Sequence, residues 1–462
     1  MPVPLFLGPP GPGTDVTLEQ DGSVTRRSVL PGGIRVLTEA MPAQRSATVG
    51  AWVAVGSRDE TDGHHGSTHF LEHLLFKGTR RRSALDIAEA FDAVGGEANA
   101  ATGKEHTCYY ARVLDADVPM AVDVIADMVT SSVLDAEEFE TERGVILEEL
   151  AMAGDDPVDV VHEQFAAAVL DPHPLGRPIG GTPQTIRAVP RDAVLEHYRR
   201  TYTPDELVVT ASGAVDHDAL CAQVERAVSE GGWSLDPQAV PAGRRGSGRP
   251  VVPGSGAAVV PGAEQLPAAG RAMTVRRTTE QANVVLGCQG LTASDDRRYA
   301  LSVLMTALGG GMSSRLFQEI RERRGLAYST YAFASNYAEA GVVGLYAGCA
   351  PGKTGQVVDL LTAEWERISA ELLPAAELER SIGQLCGGLV LGLEDTGSRM
   401  SRLGRAEIVH GELTTIDEAL ERTRAVTAEQ VRDLAAELVA RPRSLVVVGP
   451  FDDDVAAQAL GR

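Results

Sequence analysis

One stretch constrains the fold of this chain more than any other. Residues 236–270 include PAGRRGSGRPVVPGSGAAVVPG, where Pro, Gly, Ala and Ser displace every periodic pattern, the composition of a linker. It leaves a half of about 200 residues on each side, and the two halves end alike. LVVTASGAVDHDALCAQVERAV at 207–228 and SLVVVGPFDDDVAAQAL at 444–460 each read as an apolar strand, a turn, an Asp-rich helix start and a helix. The chain is therefore expected to be one architecture built twice. Runs rich in β-branched residues at 47–56, 106–114 and 341–349 predict strands, and apolar periodicity over 83–94, 117–131, 136–152 and 353–371 predicts helices. The mixture predicts an α+β fold, each half a mainly antiparallel sheet with helices on one face. The expected division is a disordered tail over 1–18, a first half at 19–235, the linker at 236–270 and a second half at 271–462.

Charge and cysteine content exclude several classes of function. Lys plus Arg is 42 against 64 for Asp plus Glu, a net charge of −22, and so acidic a surface repels phosphate backbones. No nucleic-acid partner is expected. The five cysteines, Cys108, Cys221, Cys288, Cys349 and Cys386, form no CxxC pair, so neither a disulfide framework nor a structural zinc cage is expected. The start, MPVPLFLGPPGPGTD, has no basic segment and does not resemble a signal peptide. No window approaches the ~18 to 20 continuous apolar residues of a membrane-spanning helix. A soluble, cytoplasmic protein is expected.

The chemistry concentrates in HFLEH at 69–73. On a helix, His69 and His73 at i and i+4 share a face, with Glu72 beside them, so both imidazoles can reach one metal ion. In a helix that is otherwise apolar (Phe70, Leu71, Leu74, Leu75, Phe76), three ionisable groups without a partner would be costly. Two histidines do not complete a zinc site, which needs a third protein ligand and a position left open for water. The acidic helix DAEEFETERGVILEELAM, with Asp135 at its N-cap position, can supply it. Glu142 and Glu149 are seven apart and share a face, one as ligand and the other as support. Helical geometry alone does not separate Glu148 from Glu149, but Glu148 lies ~100° off the Glu142 face, which favours Glu149.

Other motifs fail. His162 and Glu163 begin an HExxH motif whose closing position is Ala166. No serine has glycines at both −2 and +2, so there is no nucleophile elbow. GGEANAATGK ends like a phosphate loop, yet its glycine spacing is wrong and Glu105 follows the lysine. His64 and His65 sit in a Gly-rich stretch that reads as a polar loop.

With these motifs the chain resembles the pitrilysin/insulinase-type metallopeptidases, whose zinc motif runs HxxEH, and in particular their two-domain, processing-peptidase-like branch. HFLEH is followed by LLFKGT as in that family, Glu149 stands 76 positions beyond His73 where the family has its third ligand, and Glu142 takes the supporting position seven earlier. GGEANAATGKEHTCYYARV at 95–113, HPLGRPIGGT at 173–182 and LGGGMSSRLFQEIRERRGLAYS at 308–329 extend the likeness over roughly 25–235 and 272–455. One departure is Ala101, which stands where the family usually has an aromatic beside the pocket beyond the scissile bond.

The resemblance implies a zinc endopeptidase whose two homologous halves form a clamshell over extended or unfolded peptide. It implies one Zn²⁺ per chain on His69, His73 and Glu149, with Glu72 as general base. It assigns Asn99 and Ala100 to an edge strand that pairs with the substrate backbone. Arg321 and Tyr328 of the second half are implied to contact substrate, Tyr328 at the tetrahedral oxyanion. A homodimer is expected, with a heteromeric partner as the alternative arrangement. The competing function is a non-catalytic or partner-dependent subunit of a processing complex, which should lack one of His69, Glu72, His73 or Glu149. None is missing.

Overall fold

The strand Ser46–Val53 is buried at every position but its first, and a strand buried on both faces must sit inside a sheet covered on both sides. The computed structural model, which describes residues 2–20, 22–243 and 270–461, is organised around two such strands. In chain order the strands are β1 (Val3–Pro4), β2 (Val16–Gln20), β3 (Ser23–Val29), β4 (Arg35–Ala40), β5 (Ser46–Val53), β6 (Glu97–Thr102), β7 (Thr107–Leu114), β8 (Leu207–Gly213), β9 (Ala272–Arg276), β10 (Ala282–Gln289), β11 (Ala327–Asn336), β12 (Gly341–Cys349), β13 (Glu412–Leu413) and β14 (Ser444–Gly449). One sheet has the order β2-β3-β4-β8-β5-β7-β6 and the other β11-β12-β10-β14-β9. Read from opposite ends, β4-β8-β5-β7-β6 and β9-β14-β10-β12-β11 are the same arrangement. Each has a single parallel pair, β4 with β8 and β14 with β9, and is otherwise antiparallel. The fold is α+β, and the duplication suggested by the similar ends extends through both sheets.

The helices of the first half that matter for function are α1 (Ser67–Leu75), α2 (Ala84–Asp92), α3 (Val118–Ser131), α4 (Ala136–Asp155) and α5 (Pro157–Leu170). Ser83 caps α2, accepting from the backbone of Asp86 at 3.2 Å, and Asp135 caps α4 through the backbone of Glu137 at 2.8 Å, each satisfying an orphan donor of the first turn.

The two halves are not contiguous in sequence. Of the described residues, the first unit comprises those up to 150, 178–243 and 392–415, and the second 151–177, 270–391 and 416–461. The simple cut at the linker is corrected by α5, whose Val160, Val161, Phe165 and Val169 pack on Val285, Val446 and Val448 of the second sheet. Conversely, the helix Thr396–Arg405 places Met400 and Leu403 against Leu37, Trp52 and Val208 of the first sheet. A Cβ on Gly50 would stand 2.5 Å from Met400, and one on Gly287 would stand 2.6 Å from Phe165; each glycine lets a helix approach the sheet. The expectation of one helix-covered face per sheet is corrected by the same packing. Alternate residues face opposite ways, so Val284 and Leu286 join one apolar cluster and Val285 another.

The expected tail over 1–18 is also corrected. Val3 and Pro4 pair with Leu413 and Glu412, and Leu5 and Leu7 are buried while Phe6 between them is exposed. This is the period of an extended strand, and Leu5 packs in the cluster of Leu37, Trp52 and Met400. Of the linker, residues 236–243 run along the first unit, with Gly32 donating to the Asp236 carbonyl at 2.8 Å; residues 244–269 lie outside the described residues. Among the described residues no helix is long and apolar enough to cross a membrane.

Candidate metal centre

Helix α1 starts at Gly66, whose φ of 96° suits glycine and which brings no side chain to cap the helix. Glu60 does so instead. Its buried carboxylate accepts from the backbone of Gly66 at 2.8 Å and of Thr68 at 2.7 Å, putting a negative charge on the positive end of the helix dipole. Phe70, Leu71, Leu74 and Leu75 are fully buried, and that fixes the rotation of the helix with His69, Glu72 and His73 on its half-buried side. Phe70 stacks on Phe139 of α4 with ring centroids 4.3 Å apart and planes 6° apart, and the Arg143 guanidinium lies 4.9 Å from the Phe139 ring centre. This contact sets α4 against α1 so that Glu142 and Glu149 meet the histidines.

His73 Nδ1 lies 2.9 Å from Glu142 Oε2, and Lys77 Nζ lies 2.6 Å from the other oxygen of that carboxylate. Burial works against the charge on Glu142, but the hydrogen bonds from Lys77 and His73 outweigh it and hold its pKa below the usual value. An ionised carboxylate only accepts, so Nδ1 is the donating nitrogen of this pair and Nε2 is the one turned toward Glu149. Nε2 faces Glu149 Oε2 at 3.4 Å, and His69 Nε2 faces the same oxygen at 3.7 Å. Burial, and after it the neighbouring His73, pushes the His69 pKa down, against the opposing pull of Glu72 and Glu149.

The three donors all lie within 4.8 Å of one another. Ligand atoms of a four-coordinate zinc ion with bonds of about 2.0–2.2 Å are roughly 3.3–3.6 Å apart, so the donor set fits that ion in kind, and the two separations to Glu149, 3.4 and 3.7 Å, are close to that spacing. Among the described residues this is the one such group of three or more. Glu148 is exposed and outside it.

Glu72 receives a short hydrogen bond on Oε2 from the Thr102 hydroxyl. Thr102 closes β6, which among the described residues pairs with β7 alone and so offers a free edge. Asn99 and Ala100 are on this strand, and the Ala100 N–H donates to the Asn99 side chain at 2.8 Å. A cavity of about 810 Å³ opens beside it, with Phe76, Lys77, Ile87, Phe91 and Asn99 in its wall. Arg321 and Tyr328 belong to the second unit. There the Arg321 guanidinium stacks 4.5 Å from the Tyr328 ring centre and donates to the Tyr328 carbonyl at 3.2 Å, while Tyr328 is 75% exposed.

Sequence reasoning missed Glu60, Lys77 and Thr102. Lys77 had a local signal, four residues after His73. Thr102 had none, because its contact with Glu72 requires the packing of α1 on β6.

Comparison with known proteins matches residues 35–183 to the insulinase (peptidase family M16) model and 188–385 to the peptidase M16 inactive domain. The chain is 49% identical to an uncharacterized zinc protease of Streptomyces coelicolor over 94% of its length and 91% of that protein's. It is 37% identical to the uncharacterized zinc protease YmxG of Bacillus subtilis, covering 92% and 98%. A protease from Helicobacter pylori shares the fold with a TM-score of 0.80 at 20% identity, covering 92% of this chain and 99% of that one. With the HxxEH helix, the acidic helix beside it and the two matched domains all in one chain, this protein belongs to the insulinase family of peptidases, family M16.

Proposed function

We propose that the chain is a zinc-dependent endopeptidase that hydrolyses extended peptides or unfolded segments. The observation that carries this reading is the convergence of His69 and His73 of α1 with Glu149 of α4, next to Glu72 on the histidines' own helix. Zinc bound by those three residues would supply a Lewis acid that lowers the pKa of a water and polarises the scissile carbonyl. Glu72 takes the proton of the attacking water and returns it to the leaving amine. Glu142 orients His73 and fixes its tautomer. The free edge of β6 at Asn99 and Ala100 aligns the substrate by strand addition, which a folded protein cannot supply. Arg321 and Tyr328 are assigned to substrate contact by the family resemblance, with the exposed Tyr328 hydroxyl as an oxyanion donor.

Completeness of the ligand set supports this reading over the non-catalytic subunit. We assign one zinc per chain and a homodimer, a different subunit being the alternative. Mass-spectrometric mapping of cuts in an unbiased peptide library tests the function. Cuts within unstructured peptides and none in a stably folded protein are expected; a library left intact would refute it.

A further inference from the structure

We propose that Thr102 is a positioning residue for the hydrolysis, acting through Glu72; this rests on the reading of Glu72 as general base. A glutamate on a helix surface has three side-chain torsions to fix before its carboxylate can serve a reaction. Among the described residues, the hydrogen bond from Thr102 is what fixes Glu72, and it engages Oε2 alone. The two oxygens are thereby made different. Oε2 is held by a hydroxyl with a single proton to give, and Oε1 is left to take the proton of water.

The anchor is itself rigid. Thr102 pairs in register with Thr107, which is fully buried and donates to the Val55 carbonyl at 3.0 Å. As a β-branched residue in a strand, Thr102 has a restricted χ1. Ala98, Ala100 and Thr102 alternate onto the half-buried face of β6, the face that meets α1. Thr102 is thus two residues along the strand from Ala100, where an extended substrate is proposed to pair. The strand that aligns the peptide also holds the base, so the base and the scissile bond share one rigid reference.

Thr102→Val keeps the shape and β-branching and removes the hydroxyl; Thr102→Ser keeps the hydroxyl and removes the methyl. In the zinc-loaded full chain, Thr102→Val should lower kcat by about tenfold to a hundredfold, the effect of a misplaced reacting group. KM, zinc affinity measured by chelator competition, melting temperature and the Kd of a peptide for the zinc-free protein should all remain unchanged. Thr102→Ser should restore kcat, and Thr102→Val should add nothing to Glu72→Gln. Wild-type kcat in Thr102→Val, a Thr102→Ser variant as slow as Thr102→Val, or loss of zinc affinity in Thr102→Val would overturn the proposal. Glu72→Gln separates the two claims. If it is fully active, the base reading falls and this proposal with it; if it is inactive while Thr102→Val is unimpaired, only the role of Thr102 falls.

Discussion

His73 Nδ1 donates a hydrogen bond to Glu142 across 2.9 Å, and the opposite nitrogen of the same ring faces Glu149 at 3.4 Å. One imidazole thus joins a buried, lysine-paired carboxylate to a half-exposed one, and their roles differ by environment. Glu142 is almost wholly enclosed and held ionised by Lys77, while 45% of the Glu149 side chain is exposed. The enclosed group orients, and the open one is free to bind metal.

Glu142→Gln or Lys77→Met should therefore weaken zinc binding by about tenfold to a hundredfold, as loss of an outer hydrogen-bond partner does, without unfolding the chain. Competition with a chromophoric chelator reads this directly. Unchanged affinity in both variants would mean that His73 is oriented by packing alone.

Glu149→Gln should lower the metal content of purified protein, and Glu148→Gln should leave it at one zinc per chain. Elemental analysis of the two variants checks the assignment. The reverse pattern would move the ligand to Glu148.

The histidine pair and the two glutamates were legible in sequence because each pair is set by helix periodicity over four or seven residues. What joins the pairs was not. The Phe70 and Phe139 stack that sets α4 against α1 and the Thr102 bond to Glu72 depend on tertiary packing that no local pattern encodes. The exchanged helices show the same boundary. The apolar residues of α5 announce a buried face, but periodicity does not say which sheet will bury it, and a cut at the linker leaves the helix apart from the sheet it packs on. At the N-terminus, Pro and Gly composition outweighed a signal that was present. Leu5 and Leu7 flank Phe6 at strand spacing, and both leucines are buried while the backbone pairs at Val3 and Pro4.

Leu5→Ala should destabilise the protein by about 2–5 kcal/mol, the usual cost of emptying a buried leucine site. Urea unfolding measures it. A change within about 0.5 kcal/mol, typical of surface positions, would restore the reading of a disordered tail.

Two buried histidines should make stability fall as the pH drops below 6.5. Burial, with the nearby Arg200 charge, pushes the His197 pKa down from 6.5 to about 4, and burial with Arg26 does the same to His217. Above pH 6.5 both rings are neutral in both states and contribute nothing; between 6.5 and about 4 the unfolded chain takes up protons that the native state refuses. Stability therefore rises with pH across that window, and the more enclosed His197 ring accounts for a loss on the order of 3 kcal/mol at its acid end. Urea titrations at pH 7 and 5 should show the loss, and His197→Gln should reduce the slope by one proton. A flat profile would show that these rings are protonated in the native state.

The central claim is that His69, His73 and Glu149 hold a zinc ion beside a general base at Glu72. Its most direct test is the rate of peptide cleavage by zinc-loaded Glu72→Gln against wild type, with metal content measured on the same samples. Equal zinc in both is expected, with a rate lower by about a hundredfold to ten-thousandfold in the variant. Cleavage by Glu72→Gln at the wild-type rate with zinc bound would contradict it.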